Sequence, residues 1–256
     1  MDFIFSSEAI SALITLTFLE IVLGIDNLLF ISIITQKLAL NQQKLASNIG
    51  LFLAMLLRIV LLFGISVVVQ MQSSFISINN SWLKTEINGQ AIILVLGGLF
   101  LLYKSTHEIF EKIENDSSDD KKSTVKISLS KAITQITILN IVFSFDSILT
   151  AVGMTNGIPS ALPIMIISIL VSVGIMMVFM KSVSDFIQKH PSLQILGLSF
   201  LILIGFMLIT EGAHISQTII FDNEVGTIPK GYLYFAISFS LGIEFLNMKM
   251  KKKKLN

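Results

Sequence analysis

Glu20-Ile21-Val22-Leu23-Gly24-Ile25-Asp26-Asn27 places two carboxylates inside an apolar run that covers about residues 10–34. Asn140-Ile141-Val142-Phe143-Ser144-Phe145-Asp146-Ser147 repeats the pattern inside another run, at about 131–153. Both read polar, Ile, Val, three further residues, then Asp followed by a small amide or hydroxyl residue. A charge at the centre of a bilayer costs roughly 2.5–3.5 kcal/mol on insertion scales. Acids at that depth need an offset, and the rest of the chain is read for what supplies it.

Five more apolar runs flank these two, at about 49–70, 91–106, 161–181, 193–212 and 230–248. The 256-residue chain is 53% hydrophobic and only 14% charged, well below the charged fraction of soluble domains. Runs of this length and composition read as membrane spans. They are expected to be helices, because backbone facing lipid must satisfy its own hydrogen bonds. The predicted fold class is an all-α membrane protein of about seven transmembrane helices, one domain over 1–256. The net charge of +1 argues against a nucleic-acid partner. With no cysteine, disulfides, thiolate metal sites and thiol redox chemistry are excluded. Met1-Asp2-Phe3 carries no positive region of a secretory signal, so the first run is expected to be retained.

Lysine sets the orientation. With the N-terminus outside, fifteen of the seventeen lysines fall on the cytoplasmic side, leaving only Lys84 and Lys230 outside. That asymmetry follows the positive-inside rule and favours an odd number of spans, with a cytoplasmic C-terminus. The tail from Lys249 is expected to anchor at the anionic inner leaflet. Residues 107–130 mix Glu111, Glu114, Asp116, Asp119 and Asp120 with lysines and read as a solvated cytoplasmic linker. Residues 213–229 are expected to form a polar, mobile outer loop.

The linker separates one half at about 8–106 from a second at about 131–212, with 230–248 as an extra helix. Three spans per half put the two acidic motifs in opposite orientations. That is the plan of a 3+3 inverted repeat, which places substrate near the midplane in many transporters. Leu96-Gly97-Gly98-Leu99-Phe100 and Leu203-Ile204-Gly205-Phe206-Met207 form a weaker echo in the third and sixth spans. Glu20 and Asp26 lie about 9 Å apart along a straight helix and about 120° apart around it, so they would not share a small ligand. Gly24 offers a place for the helix to unwind and turn both acids into one cavity.

The intramembrane polar inventory is Glu20, Asp26, Asn27, Arg58, Asn140, Ser144, Asp146, Ser147 and Glu244. Nearly all offer oxygen, which suits a hard divalent cation such as Mn²⁺, Mg²⁺ or Ca²⁺. The eleven methionines scatter through the spans and read as packing rather than a soft-metal site. Candidate metal-binding residues are Glu20, Asp26, Asn27, Asn140, Asp146 and Ser147, with Arg58 as the charge-compensating group. Each has a plainer role: Asn27, Asn140 and Ser147 as interhelical polar contacts, Asp26 and Asp146 as buried hydrogen-bonding groups, Glu20 as a snorkelling or protonated acid. Glu211 and Glu244 lie near span ends and read as surface or gating groups. No nucleophile–base pair, phosphate loop or dinucleotide motif is present, so an enzyme is not expected.

The motif blocks, with Thr150-Ala151-Val152-Gly153, His190-Pro191-Ser192 and Ile228-Pro229-Lys230-Gly231-Tyr232, resemble the tellurite-resistance TerC family of integral membrane proteins. The likeness covers nearly the whole chain and is to the short bacterial type without appended regulatory domains. It implies about seven spans, a bacterial plasma membrane and, as in some members, manganese export. It also assigns the metal role to Glu20, Asp26, Asn27 and Asp146, with Ser147 as a weaker candidate. Asn140 departs from the family pattern, which usually has Asp there; Asn keeps a carbonyl ligand and loses a charge. The resulting expectation is a transporter exporting Mn²⁺ or a similar divalent cation, with no tightly bound cofactor and with lipid and the metal ion as partners. The alternative is a non-transporting component of a tellurite or envelope-stress resistance complex, docked through the 107–130 linker.

Overall fold

The computed structural model describes residues 7–64, 71, 73–117, 127–155, 158 and 161–254. The side chains of Ile25, Asp26, Asp146 and Leu149 lie outside the described set, although the helix backbone runs through all four. Seven long helices make up most of the chain: α1 (Ser7–Thr35), α2 (Leu40–Phe63), α3 (Gly89–Ser117), α4 (Leu129–Thr155), α5 (Ala161–Lys189), α6 (Pro191–Ile215) and α7 (Lys230–Lys254). The first six are long and apolar enough to cross a membrane. The apolar run of α7 is thinned by Tyr232, Tyr234, Ser238, Ser240, Glu244 and Asn247, and it ends in lysines, so composition alone does not mark it as a span. An all-α membrane protein is the fold class.

The helices gather into two compact units that do not follow chain order. One contains α1, α2, α4 and α5; the other contains α3, α6 and α7. In the first unit α4 packs on both α1 and α2. Gly50 of α2 makes room for α4, since a Cβ there would lie 2.8 Å from Ile136 Cγ2. Helices α1 and α5 run in the same direction: Ser168 Oγ donates to Leu13 O at 3.5 Å, and farther along Gly24 meets Met176.

In the second unit α3 and α6 form the densest helix pair. A Cβ on Gly98 would sit 2.5 Å from Gly205 O, and one on Gly205 would sit 2.9 Å from Gly98 O. Each glycine therefore lets the other backbone approach, the usual device where lipid supplies no hydrophobic drive between helices. Gly212 fits against Ala91 in the same way, so the helices are antiparallel and the start of α3 meets the end of α6. The weak Gly97-Gly98 and Ile204-Gly205 echo in the sequence thus falls on the two faces that touch. Pro191 opens α6 in the first helical turn, where its missing N–H has no partner to lose.

Two expectations are corrected here. Helix α3 runs well past residue 106, so the segment from 107 to 117 is helix rather than linker. Lys104–Glu108 at 2.6 Å and His107–Glu111 at 3.2 Å are i,i+4 pairs that support the extension. The rest of the predicted linker, 118–126, lies outside the described residues. The 213–229 segment is not a free loop. It adds β3 (Ile219–Ile220) and β4 (Asn223–Glu224) to a hairpin of β1 (Ser74–Asn79) and β2 (Leu83–Asn88), in the antiparallel order β1-β2-β3-β4.

Candidate functional site

The acidic motif of α1 lies in the first unit, and its Glu20 meets Arg58 of α2. Arg58 Nη1 donates to Glu20 Oε2 in a short ion pair, and the two residues are 2% and 1% exposed. Burying two charges is offset only by close, hydrogen-bonded geometry between them. Here the cation taken out of water by α2 matches the anion taken out by α1. Arg58 Nε makes no hydrogen bond among the described residues. The guanidinium is anchored to Glu20 through Nη1.

Helix α1 continues unbroken through Gly24. The expected unwinding does not occur. Gly24 instead admits the Met176 thioether of α5, which would collide with any Cβ at that position. Two residues on, Asp26 stands in regular helix; its side chain is outside the described set, and so is that of Asp146. Asn27, the next residue, is buried.

The second motif lies in α4, which packs against α1. Asn140, Ser144 and Ser147 are all buried. Among the described residues, their hydrogen bonds run back along their own helix. Asn140 Nδ2 donates to Ile136 O at 2.9 Å, Ser144 Oγ to Asn140 O, and Ser147 Oγ to Ser144 O at 3.3 Å. In this arrangement the Asn140 side chain spends its donor locally and keeps its carbonyl oxygen as an acceptor. Among the described residues, no cluster of three or more His, Asp or Glu side chains is assembled to hold a metal.

The structure therefore brings together Glu20 with Arg58, and packs the helix of Asp26 and Asn27 on the helix of Asn140, Asp146 and Ser147. Glu244 belongs to the second unit, where it accepts from Ser192 Oγ. Sequence reasoning missed the hydroxyls of Ser32, Ser168 and Ser172, all fully buried in the first unit. Ser32 Oγ makes no hydrogen bond among the described residues, whereas Ser172 Oγ donates to Ile169 O at 3.1 Å. The available signal was spacing: Ser168, Ser172 and Met176 recur every four residues on one face of α5, and Ser168 and Met176 both touch α1.

Residues 5–255 match the model of the integral membrane protein TerC family, and the chain belongs to that family. It is 41% identical over 251 residues to a UPF0053 protein of Haemophilus influenzae, covering 98% of both chains. It is 43% identical over 242 residues to the UPF0053 inner membrane protein YgdQ of Escherichia coli, covering 94% of this chain and 93% of that one. The longer Escherichia coli UPF0053 inner membrane protein YoaE is 38% identical over 247 residues, which take in 96% of this chain and 44% of YoaE. No solved structure matches significantly.

Proposed function

We propose that this integral membrane protein is a transporter, not an enzyme, that exports Mn²⁺ or a similar divalent cation from the cytoplasm. One observation carries the reading: Arg58 is already committed to Glu20, so that pair is neutral as a unit. Asp26 and Asp146 are the further acids of the two motif helices, and those helices pack together. Two carboxylates carry −2, the charge that one divalent cation offsets. Asn27, Asn140 and Ser147 would add neutral oxygens, the donor type that hard cations take. In this scheme Glu20 and Arg58 set the electrostatics of the site rather than holding the ion.

Acids this deep are retained for a use, because they are expensive in lipid. Alternating access would carry the ion past Asp26 and Asp146, with the inverted halves expected from the sequence providing the two states. The lysine asymmetry supports an N-terminus outside and a C-terminus inside, in the inner membrane of a bacterial cell. The naming of YgdQ as an inner membrane protein fits this placement.

The test is total cellular manganese after a Mn²⁺ challenge, in a bacterial strain lacking its own exporters. Empty vector, this protein and Asp146→Asn are compared at equal membrane abundance. Lower manganese with the intact protein alone supports the reading. Equal manganese in all three, with both proteins folded in the membrane, removes manganese as the cargo; the same result with Ca²⁺ and Mg²⁺ removes the reading. A scaffold role would then lead, to be tested by replacing residues 118–126.

A further inference from the structure

The four-stranded sheet of the second unit is amphipathic, and its register shows it. Paired antiparallel residues share a face, and successive residues alternate between faces. Ile76 pairs with Ile87, Ile78 with Thr85, and Leu83 with Ile220. One face therefore carries Ile76, Ile78, Leu83, Ile87 and Ile220. The opposite face pairs Ser77 with Glu86, Asn79 with Lys84, and Ile219 with Glu224. Thr85 and Asn223, the partner of Ile220, are the polar exceptions on the first face, and the Thr85 hydroxyl is engaged by Thr218 Oγ1 at 2.9 Å.

The apolar face is covered only in part: Ile78, Leu83 and Ile87 are half-buried, and its two ends are open. Ile76 is 49% exposed and Ile220 is 41% exposed. At the turns beside them, Trp82 and Phe221 are 52% and 70% exposed. Phe221 N donates to Trp82 O at 3.0 Å, which holds the two aromatic residues at one end of the sheet. Phe221 has φ 48°, the left-handed region that bulky residues avoid. A two-residue hairpin turn there ordinarily takes Asn or Gly. The chain keeps a phenyl ring at that tip despite the backbone cost.

The sheet is also fixed to the ends of two membrane spans. Asn88 closes β2 and Gly89 opens α3 with no residue between. Asn88 Oδ1 accepts from Ala91 N at 2.8 Å and Asn88 Nδ2 donates to Ile215 O at 3.1 Å. Glu86 N donates to Ser216 O at 2.7 Å. These bonds tie the sheet to the start of α3 and the end of α6, where both helices reach one membrane surface. The opposite face, through Ile219 and Glu224, borders a cleft of about 640 Å³ that is also lined by Gln90, His214, Ile215 and Gln217.

We propose that this sheet lies along the membrane surface where α3 begins and α6 ends. Its aliphatic face rests on the acyl–headgroup boundary, and Trp82 and Phe221 sit at headgroup depth. The occupant of the apolar face is lipid. The physics is that of an interfacial amphipathic helix transferred to strands, with aromatic residues at the level they prefer. The continuity of the sheet with the bilayer-crossing helices, rather than its exposure alone, argues for lipid over a protein partner.

Trp82 is the single tryptophan of the chain, so the test needs no engineered probe. The full-length protein is placed in nanodiscs of ordinary lipid, or of lipid brominated near the carbonyl end of the acyl chains. Its emission is then titrated with aqueous acrylamide. The expected result is emission at least halved by the brominated lipid and weak quenching by acrylamide. Ile76→Lys with Ile220→Lys should reverse both effects, while Ser77→Lys on the polar face should change neither. Strong acrylamide quenching without bromolipid quenching would overturn the proposal in favour of a sheet standing in water. Shielding from both quenchers would overturn it in favour of a protein contact, such as a second copy of this chain.

Discussion

Arg58 and Glu20 form a buried ion pair that joins α2 to α1 within the first unit. Removing one partner would strand the other charge away from water, at a cost of about 3–5 kcal/mol. Arg58→Met and Glu20→Gln should each lower thermal stability in detergent sharply. The double variant should recover most of that loss, since both charges are then gone. Transport should stay impaired in the double variant if the pair shapes the field around the aspartates. Equal stability of single and double variants would show that the pair does not matter energetically.

The glycines give a graded packing series. Gly98→Ala drives a methyl group into Gly205 O and Ile209. Backbone cannot step aside, so a loss of about 1–3 kcal/mol is expected. Gly24→Ala meets only the end of the flexible Met176 side chain and should cost less. Gly174→Ala enters open space and should be neutral or stabilise by up to about 1 kcal/mol through helix propensity. Thermal unfolding of the three variants should rank in that order. A Gly98→Ala protein as stable as Gly174→Ala would contradict the tight α3–α6 crossing.

Asn140→Asp tests the second motif. The change removes the Nδ2 donor and sets oxygen against Ile136 O. Without metal, that lost bond should lower stability by about 1–3 kcal/mol. If the position borders the ion, Mn²⁺ should raise the melting temperature of Asn140→Asp by more than it raises that of the unchanged protein. Equal shifts would place Asn140 away from the metal.

Much of this architecture is legible in the sequence, because long apolar runs leave a chain little choice in lipid. Six of the seven expected spans follow directly from that; Gly98 and Gly205 stood out in the sequence only as an echo between two spans, and their contact is a product of helix packing. The sheet is not legible in advance. Its strands are short, and its closure depends on contacts such as Glu86 with Ser216, far apart in the chain. The same long-range pairing turns the expected mobile loop at 213–229 into β3 and β4. Arg58 and Glu20 were visible as charges at membrane depth, but their direct contact is a product of helix packing. Gly24 reads equally well as a break or as a contact point, and Met176, distant in sequence, decides for contact.

The most direct test of the central claim is Mn²⁺ flux in proteoliposomes holding the purified protein, Asp26→Asn or Asp146→Asn at equal density. Flux above empty vesicles is expected for the unchanged protein, and its loss in both variants, with their folds intact by thermal unfolding. Flux that persists undiminished in both variants would contradict the placement of the ion. No flux above empty vesicles from well-folded unchanged protein, with Mn²⁺, Mg²⁺ or Ca²⁺, would contradict the transport reading itself.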